Sequence, residues 1–231
     1  MIITGTIINV IAVIIGSLLG LLFHARLPQR FVDTLFQGIG LFTLALGVFM
    51  ALKAEEWILV ILSIIVGGLI GELLRLEELF ERLSTRIGKR FNVGGERFNK
   101  GLLTAFLLFC MGSMTVLGAI EEGMGGRPDL YYIKSLMDGI SSIALASGLG
   151  IGVLFSVVPL FLYQAGLTIM ANWFGTFMPE LMISGISASG GVLLIGLGLN
   201  ILNITKLKIL NLLPALIMIV IFTQLFIIIQ N

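Results

Sequence analysis

The chain has 231 residues, 58% of them hydrophobic and only 12% charged, against about 45–50% and about 25% in an ordinary soluble domain. A water-soluble fold of this length cannot hide that excess, whereas lipid is itself an apolar solvent. The net charge of +1 leaves no field to attract nucleic acid, and one cysteine (Cys110) with one histidine (His24) can neither close an internal disulfide nor supply four zinc ligands.

A membrane span needs about 20 mostly apolar residues at 1.5 Å rise each. Eight stretches approach this, at roughly 3–23, 35–52, 57–74, 101–120, 136–151, 153–173, 184–203 and 208–229. The expected fold is all-α, a polytopic transmembrane bundle of about eight spans. The first stretch has no basic leader and no small-residue cleavage site before His24-Ala25-Arg26, so it reads as a span and not as a removable signal. In 136–173, Gly148, Gly150 and Gly152 offer a turn between two short spans; one long span and a re-entrant segment are the alternatives. Gly16 with Gly20, Gly67 with Gly71, and Gly148 with Gly152 have the Gly-x-x-x-Gly spacing. That spacing permits close helix crossings but is weak evidence for a homo-oligomer.

Basic residues favour the cytoplasmic side. With eight spans, Arg26, Arg30, Arg75, Arg82, Arg86, Lys89, Arg90, Arg97, Lys100, Lys206 and Lys208 fall on one side, and Lys53, Arg127 and Lys134 on the other. This predicts both termini outside and residues 75–100 in the cytoplasm. In that connector Leu76, Leu79, Phe80, Leu83, Ile87 and Phe91 recur at helical spacing among charged residues, and Asn92-Val93-Gly94-Gly95 follows. The pattern predicts an amphipathic surface helix and then a turn.

Phe36-Gln37-Gly38-Ile39-Gly40 leading to Leu46-Gly47 resembles Ser187-Ala188-Ser189-Gly190-Gly191 leading to Leu197-Gly198. The expected organisation is a first three-span repeat at 1–74, the connector at 75–100, a central two-span unit at 101–151 and a second three-span repeat at 152–231. The two repeats would enter the membrane from opposite sides, a plan common in secondary transporters.

Polar groups in lipid are costly and mark pathways. Asn9, Gln37, Gln164 and Asn200 are amides within spans. Each can coordinate an ion or polar solute through its carbonyl oxygen, or simply bond a neighbouring helix. Ser113 and Thr115 flank Gly112 in span four, where they can satisfy backbone groups freed by a helix break. These six form the expected ligand pathway. Glu121 and Asp138 stand as outer-mouth acids and Glu72 as an inner-mouth acid. Glu122 reads as a solvated helix end, and Lys134 as a counter-ion on the outer side.

No enzyme is expected. The chain has no His-Glu-x-x-His zinc helix, no membrane Gly-x-Gly-Asp pair and no nucleotide-binding Gly-x-x-x-x-Gly-Lys-Ser loop, and a serine nucleophile would have to use His24 as its base. No cofactor is expected either.

A family resemblance is carried by Gly5-Thr6-Ile7-Ile8-Asn9, by Phe109-Cys110-Met111-Gly112-Ser113-Met114 with Leu117-Gly118, and by Lys134-Ser135-Leu136-Met137-Asp138-Gly139. Tyr163-Gln164, Gly190-Gly191 to Asn200, and Asn211-Leu212-Leu213-Pro214-Ala215 extend it over nearly the whole chain. It resembles the prokaryotic integral membrane family called domain of unknown function 554 (YqgA/YdfK-like). The resemblance implies a bacterial or archaeal cytoplasmic membrane protein. Ser113 departs from the proline often found there in that family, so a proline-broken helix is not expected.

Two functions compete. One is a secondary transporter or permeation protein for a small ion or polar solute. The other is a non-transporting scaffold or accessory subunit docking partners through 75–100. The lipid bilayer is the one partner both readings require.

Overall fold

The computed structural model describes residues 3–24, 29–90, 95–110, 113–174 and 179–230. Every regular element among them is a helix. In chain order these are α1 (Thr4–His24), α2 (Gln29–Ala51), α3 (Trp57–Leu74), α4 (Leu76–Arg90), α5 (Glu96–Cys110), α6 (Ser113–Gly123), α7 (Asp129–Leu149), α8 (Gly152–Phe155), α9 (Val157–Phe174), α10 (Glu180–Ile201), α11 (Ile209–Leu212) and α12 (Ala215–Gln230).

Among the described residues, five helical segments are long and apolar enough to cross a membrane: Thr4–Phe23, Trp57–Leu74, Gly152–Trp173, Glu180–Ile201 and Ile209–Ile229. The pair Glu96–Cys110 and Met114–Gly123, bent by 59°, makes a sixth if it counts as one broken span. In α2 only Gln37–Ala51 is apolar, which falls short. Helix α7 carries Lys134 and Asp138 well inside its length.

The turn expected near Gly150 is present. α7 ends at Leu149, and Gly150 takes φ 79, a left-handed value that glycine adopts without steric cost. Two boundaries differ from expectation. α5 starts at Glu96, so residues 96–100 belong to it and not to the connector. α7 starts at Asp129, directly after Pro128 and seven residues before the expected 136, since proline suits the beginning of a helix. Arg75, at φ 51, caps α3 and separates it from α4. The expected turn after α4 lies outside the described residues except for Gly95, at φ 109.

The chain folds as two compact units. The first comprises Met1–Ile39, Ser84–Cys110 and Met114–Phe177; the second comprises Gly40–Leu83, Met111–Ser113 and Met178–Asn231. In the first unit α1 and α7 lie together along most of their lengths. A Cβ added at Gly5 would meet Tyr131, one at Gly16 the Gly139 carbonyl and the Ser142 hydroxyl, and one at Gly20 the Ile143 carbonyl and Ala146. Residue numbers rise together on both helices, so the pair is parallel. Backbones this close gain dispersion contacts that larger side chains would prevent.

In the second unit the pairings are antiparallel. Gly67 packs on Ala215 and Gly71 on Asn211, joining α3 to α12 and α11. Gly47 packs on Gly191 and Ile195, and Gly40 on Leu202, joining α2 to α10. Glu72 accepts from Lys208 Nζ at 2.8 Å and Asn211 Nδ2 at 2.6 Å, while Asn211 Oδ1 accepts the Glu77 N–H at 2.7 Å. This network ties the α3–α4 corner to α11. The Glu72 hydrogen bond holds the exposed Lys208 ammonium above the usual lysine range.

Candidate functional site: a buried polar cluster in the first unit

Three helices bring their polar residues to one place. Asn9 is the sixth residue of α1, Asp138 the tenth of α7 and Gln164 the eighth of α9. Asn9 Nδ2 donates to Asp138 Oδ2 at 3.1 Å and to Gln164 Oε1 at 3.2 Å. Lys134 Nζ, one turn before Asp138, donates to the same Oδ2 at 2.6 Å. Asn9 and Gln164 are fully buried, and Lys134 and Asp138 nearly so. The ion pair therefore makes the cluster formally neutral, the one condition under which such charges persist in an apolar interior. Asn9 Oδ1 and Gln164 Nε2 have no hydrogen-bond partner. Buried polar atoms are rarely left so, because each costs about 1–3 kcal/mol.

The end of α5 and the start of α6 lie near this cluster. α5 ends at Cys110, whose side chain lies within electrostatic reach of Lys134 and Asp138. The last carbonyls of a helix have no intrahelical partner. One of them, Phe109 O, accepts the Thr115 hydroxyl at 3.1 Å, and Thr115 O accepts the Tyr131 hydroxyl at 3.0 Å. The Thr115 hydroxyl thus satisfies an end carbonyl of α5, and the Tyr131 hydroxyl ties α7 to the first turn of α6. The partial negative charge at the end of α5 also favours the nearby ammonium.

A cavity of about 340 Å³ opens where α1 begins and α6 and α9 end; Thr4, Glu122, Arg127, Tyr132 and Asn172 contribute to its lining. Glu122 is 3% exposed. Its Oε1 accepts the Gly5 N–H, and its Oε2 accepts the Thr6 hydroxyl at 3.4 Å. The first turn of α1 has no acid of its own, so this carboxylate from α6 meets both the orphan donor and the positive end of the helix dipole. Glu122→Ala is expected to lower stability by about 1–3 kcal/mol and Glu122→Gln by less, read as thermal unfolding in detergent. Along α1, Thr6 and Asn9 then lead from the cavity toward the cluster.

The family model described as Protein of unknown function (DUF554) matches residues 4–224. The chain belongs to that family. It is 35% identical over 216 residues to the uncharacterized membrane protein YdfK of Bacillus subtilis (strain 168), covering 92% of each chain. It is 32% identical over 222 residues to the uncharacterized protein YqgA of Escherichia coli (strain K12), covering 93% of each. No solved structure matches. The relative's name and the apolar helices together make this family member a membrane protein.

The other expected site residues lie elsewhere. Glu121 Oε2 accepts the Leu130 N–H at 3.1 Å and so caps the start of α7. Asn200 Oδ1 accepts from Thr205 Oγ1 and Leu207 N, and its Nδ2 donates to Leu207 O, closing the turn after α10. Gln37 is exposed on α2, and Glu72 belongs to the α3–α4 corner of the second unit. Thr115 is buried at the helix break; the side chains of Ser113 and His24 lie outside the described residues. Asp138 is near the middle of α7 and not at its mouth.

Sequence reasoning undervalued two charged residues. Glu122 is no solvated end, and Lys134 is buried with Asp138. The signals were present: Thr115 and Glu122 are seven apart on one helix face, and Lys134 and Asp138 are four apart.

Proposed function

We propose that this protein is a secondary transporter or permeation protein for a small ion or polar solute, with Asn9, Lys134, Asp138 and Gln164 as its site. The observation that carries this reading is the neutral, buried cluster with an acceptor and a donor left over on adjacent amides. A scaffold has no need for unsatisfied polar atoms at mid-helix. The cavity at Glu122 supplies a polar approach along α1.

Eight crossings, with both termini outside and 75–100 inside the cytoplasmic membrane, remain the topology that fits best. Helix direction supports it. Parallel α1 and α7 require an odd number of crossings between them to return the chain. If α2, α3 and the bent α5–α6 pair make three crossings, α1 runs inward and α7 inward again, as first and fifth spans. The antiparallel α2–α10 and α3–α12 pairs likewise fit second with seventh and third with eighth. Opposite entry of 1–74 and 152–231, the inverted repeat, is compatible with those directions.

The test is uptake by proteoliposomes under an ion gradient across a panel of inorganic ions and small polar solutes. At least one solute is expected to move, and Asp138→Asn is expected to cut its rate more than about tenfold, equivalent to about 1.4 kcal/mol in the barrier. Absence of flux for every solute, or flux indifferent to Asp138→Asn, would overturn the reading.

A further inference from the structure

Resting on that reading, we infer that the site exchanges one monovalent cation for one proton, with the Lys134 ammonium as the group the cation displaces. The geometry supplies each part. Lys134 Nζ occupies Asp138 Oδ2 at 2.6 Å. The same Oδ2 accepts from Asn9 Nδ2 at 3.1 Å, and turning that amide over brings its fully buried, unpartnered Oδ1 to the carboxylate in place of the N–H. Gln164 Oε1 lies on the other side of Asn9 Nδ2. These carboxylate and amide oxygens are hard donors, suited to an alkali cation.

Charge selects the stoichiometry. The cluster holds one carboxylate and one ammonium, both nearly excluded from water. A monovalent cation arriving at Asp138 beside a charged Lys134 would leave the buried site at net +1, which an apolar interior penalises. Neutrality returns when Lys134 releases its proton to water as the cation binds. The balance is M⁺ plus the LysH⁺–Asp⁻ pair giving Lys with Asp⁻·M⁺ plus H⁺, a total charge of +1 on both sides. A divalent cation would leave the loaded site charged.

Among the described residues, α6 carries the buried carboxylate Glu122, engaged by the Gly5 N–H and the Thr6 hydroxyl, and α9 carries the phenol of Tyr163, whose ring packs edge-on against Phe106. Within the described part of α1 facing α7, Thr4–Phe23 has no ionisable side chain, and neither has α8. From α5 the one titratable group near the pair is Cys110. Gln164 on α9 is neutral. On α7 itself Tyr131 is tied to Thr115 O.

The experiment adds NaCl, KCl, LiCl or choline chloride to the purified full chain in weakly buffered detergent, following released protons with a pH dye. Cation binding is measured in parallel by calorimetry. One alkali cation is expected to release close to one proton per cation bound. Its apparent affinity in the unaltered protein is expected to rise about tenfold per pH unit while Lys134 is protonated, as one-for-one competition demands. Lys134→Gln should bring the proton count to zero and flatten that pH dependence, and Asp138→Asn should remove cation binding. The pH series uses the native sequence, so it stands even where a variant fails to fold. Cation binding without proton release, or with no pH dependence, overturns the exchange. Flux of an uncharged solute in proteoliposomes without cation binding overturns it too but leaves transport intact, whereas no flux of any kind ends both.

Discussion

Gly16→Leu is expected to prevent α1 from docking on α7, with a loss above about 3 kcal/mol that shows as aggregation or absence of a monodisperse species in detergent. Overpacking a tight contact usually costs about 1–3 kcal/mol when side chains can shift. Here the first atoms met are the Gly139 carbonyl oxygen and the Ser142 hydroxyl. A backbone carbonyl inside a helix cannot swing aside, so the helices must part. Parting them also pulls Asn9 from Asp138, since that bond spans the same α1–α7 seam. Gly166→Ala on α9 is the control, because nothing lies within 4 Å of a Cβ there. It should be neutral or stabilise by up to about 1 kcal/mol from helix propensity. Equal behaviour of the two variants would show that the α1–α7 contact is not close in the protein.

The parts of this fold that are legible in sequence are those set by local chemistry. Long apolar runs demand helices because no water is present to satisfy a bare backbone. Gly150 is legible as a turn, and the paired glycines at 16 and 20 and at 67 and 71 as crossings, because absence of a side chain has direct steric meaning. The burial of Lys134 is harder to see. Charge patterning assigns a lone lysine near a helix end to water, and only its partner four residues on reverses that. The amides show the same limit. Asn9, Gln164 and Asn200 look alike in sequence, yet two meet at mid-helix and the third folds back on its own turn. Which of them converge depends on helix neighbours distant in sequence, such as Asn9 and Gln164, 155 residues apart.

Exchanging both members of the buried ion pair for apolar residues should separate structure from function. Lys134→Met alone leaves the Asp138 carboxylate buried without its ammonium, and Asp138→Leu alone strands the ammonium. Each is expected to cost about 3–5 kcal/mol, the usual penalty for breaking a buried pair from one side. Replacing both removes the two desolvated charges together, and stability is expected to return to within about 1 kcal/mol of the native protein. Asn9 Nδ2 keeps Gln164 Oε1 as a partner in that variant, so the amide is not orphaned. Thermal unfolding in detergent reads the coupling as a double-mutant cycle. If the pair served only to pin α7 within the first unit, the folded double variant would move solute at the native rate. If the pair is the site, the double variant folds and is inert. A double variant that is both stable and active would leave Lys134 and Asp138 with no role in transport, and the polar cluster would then be packing alone.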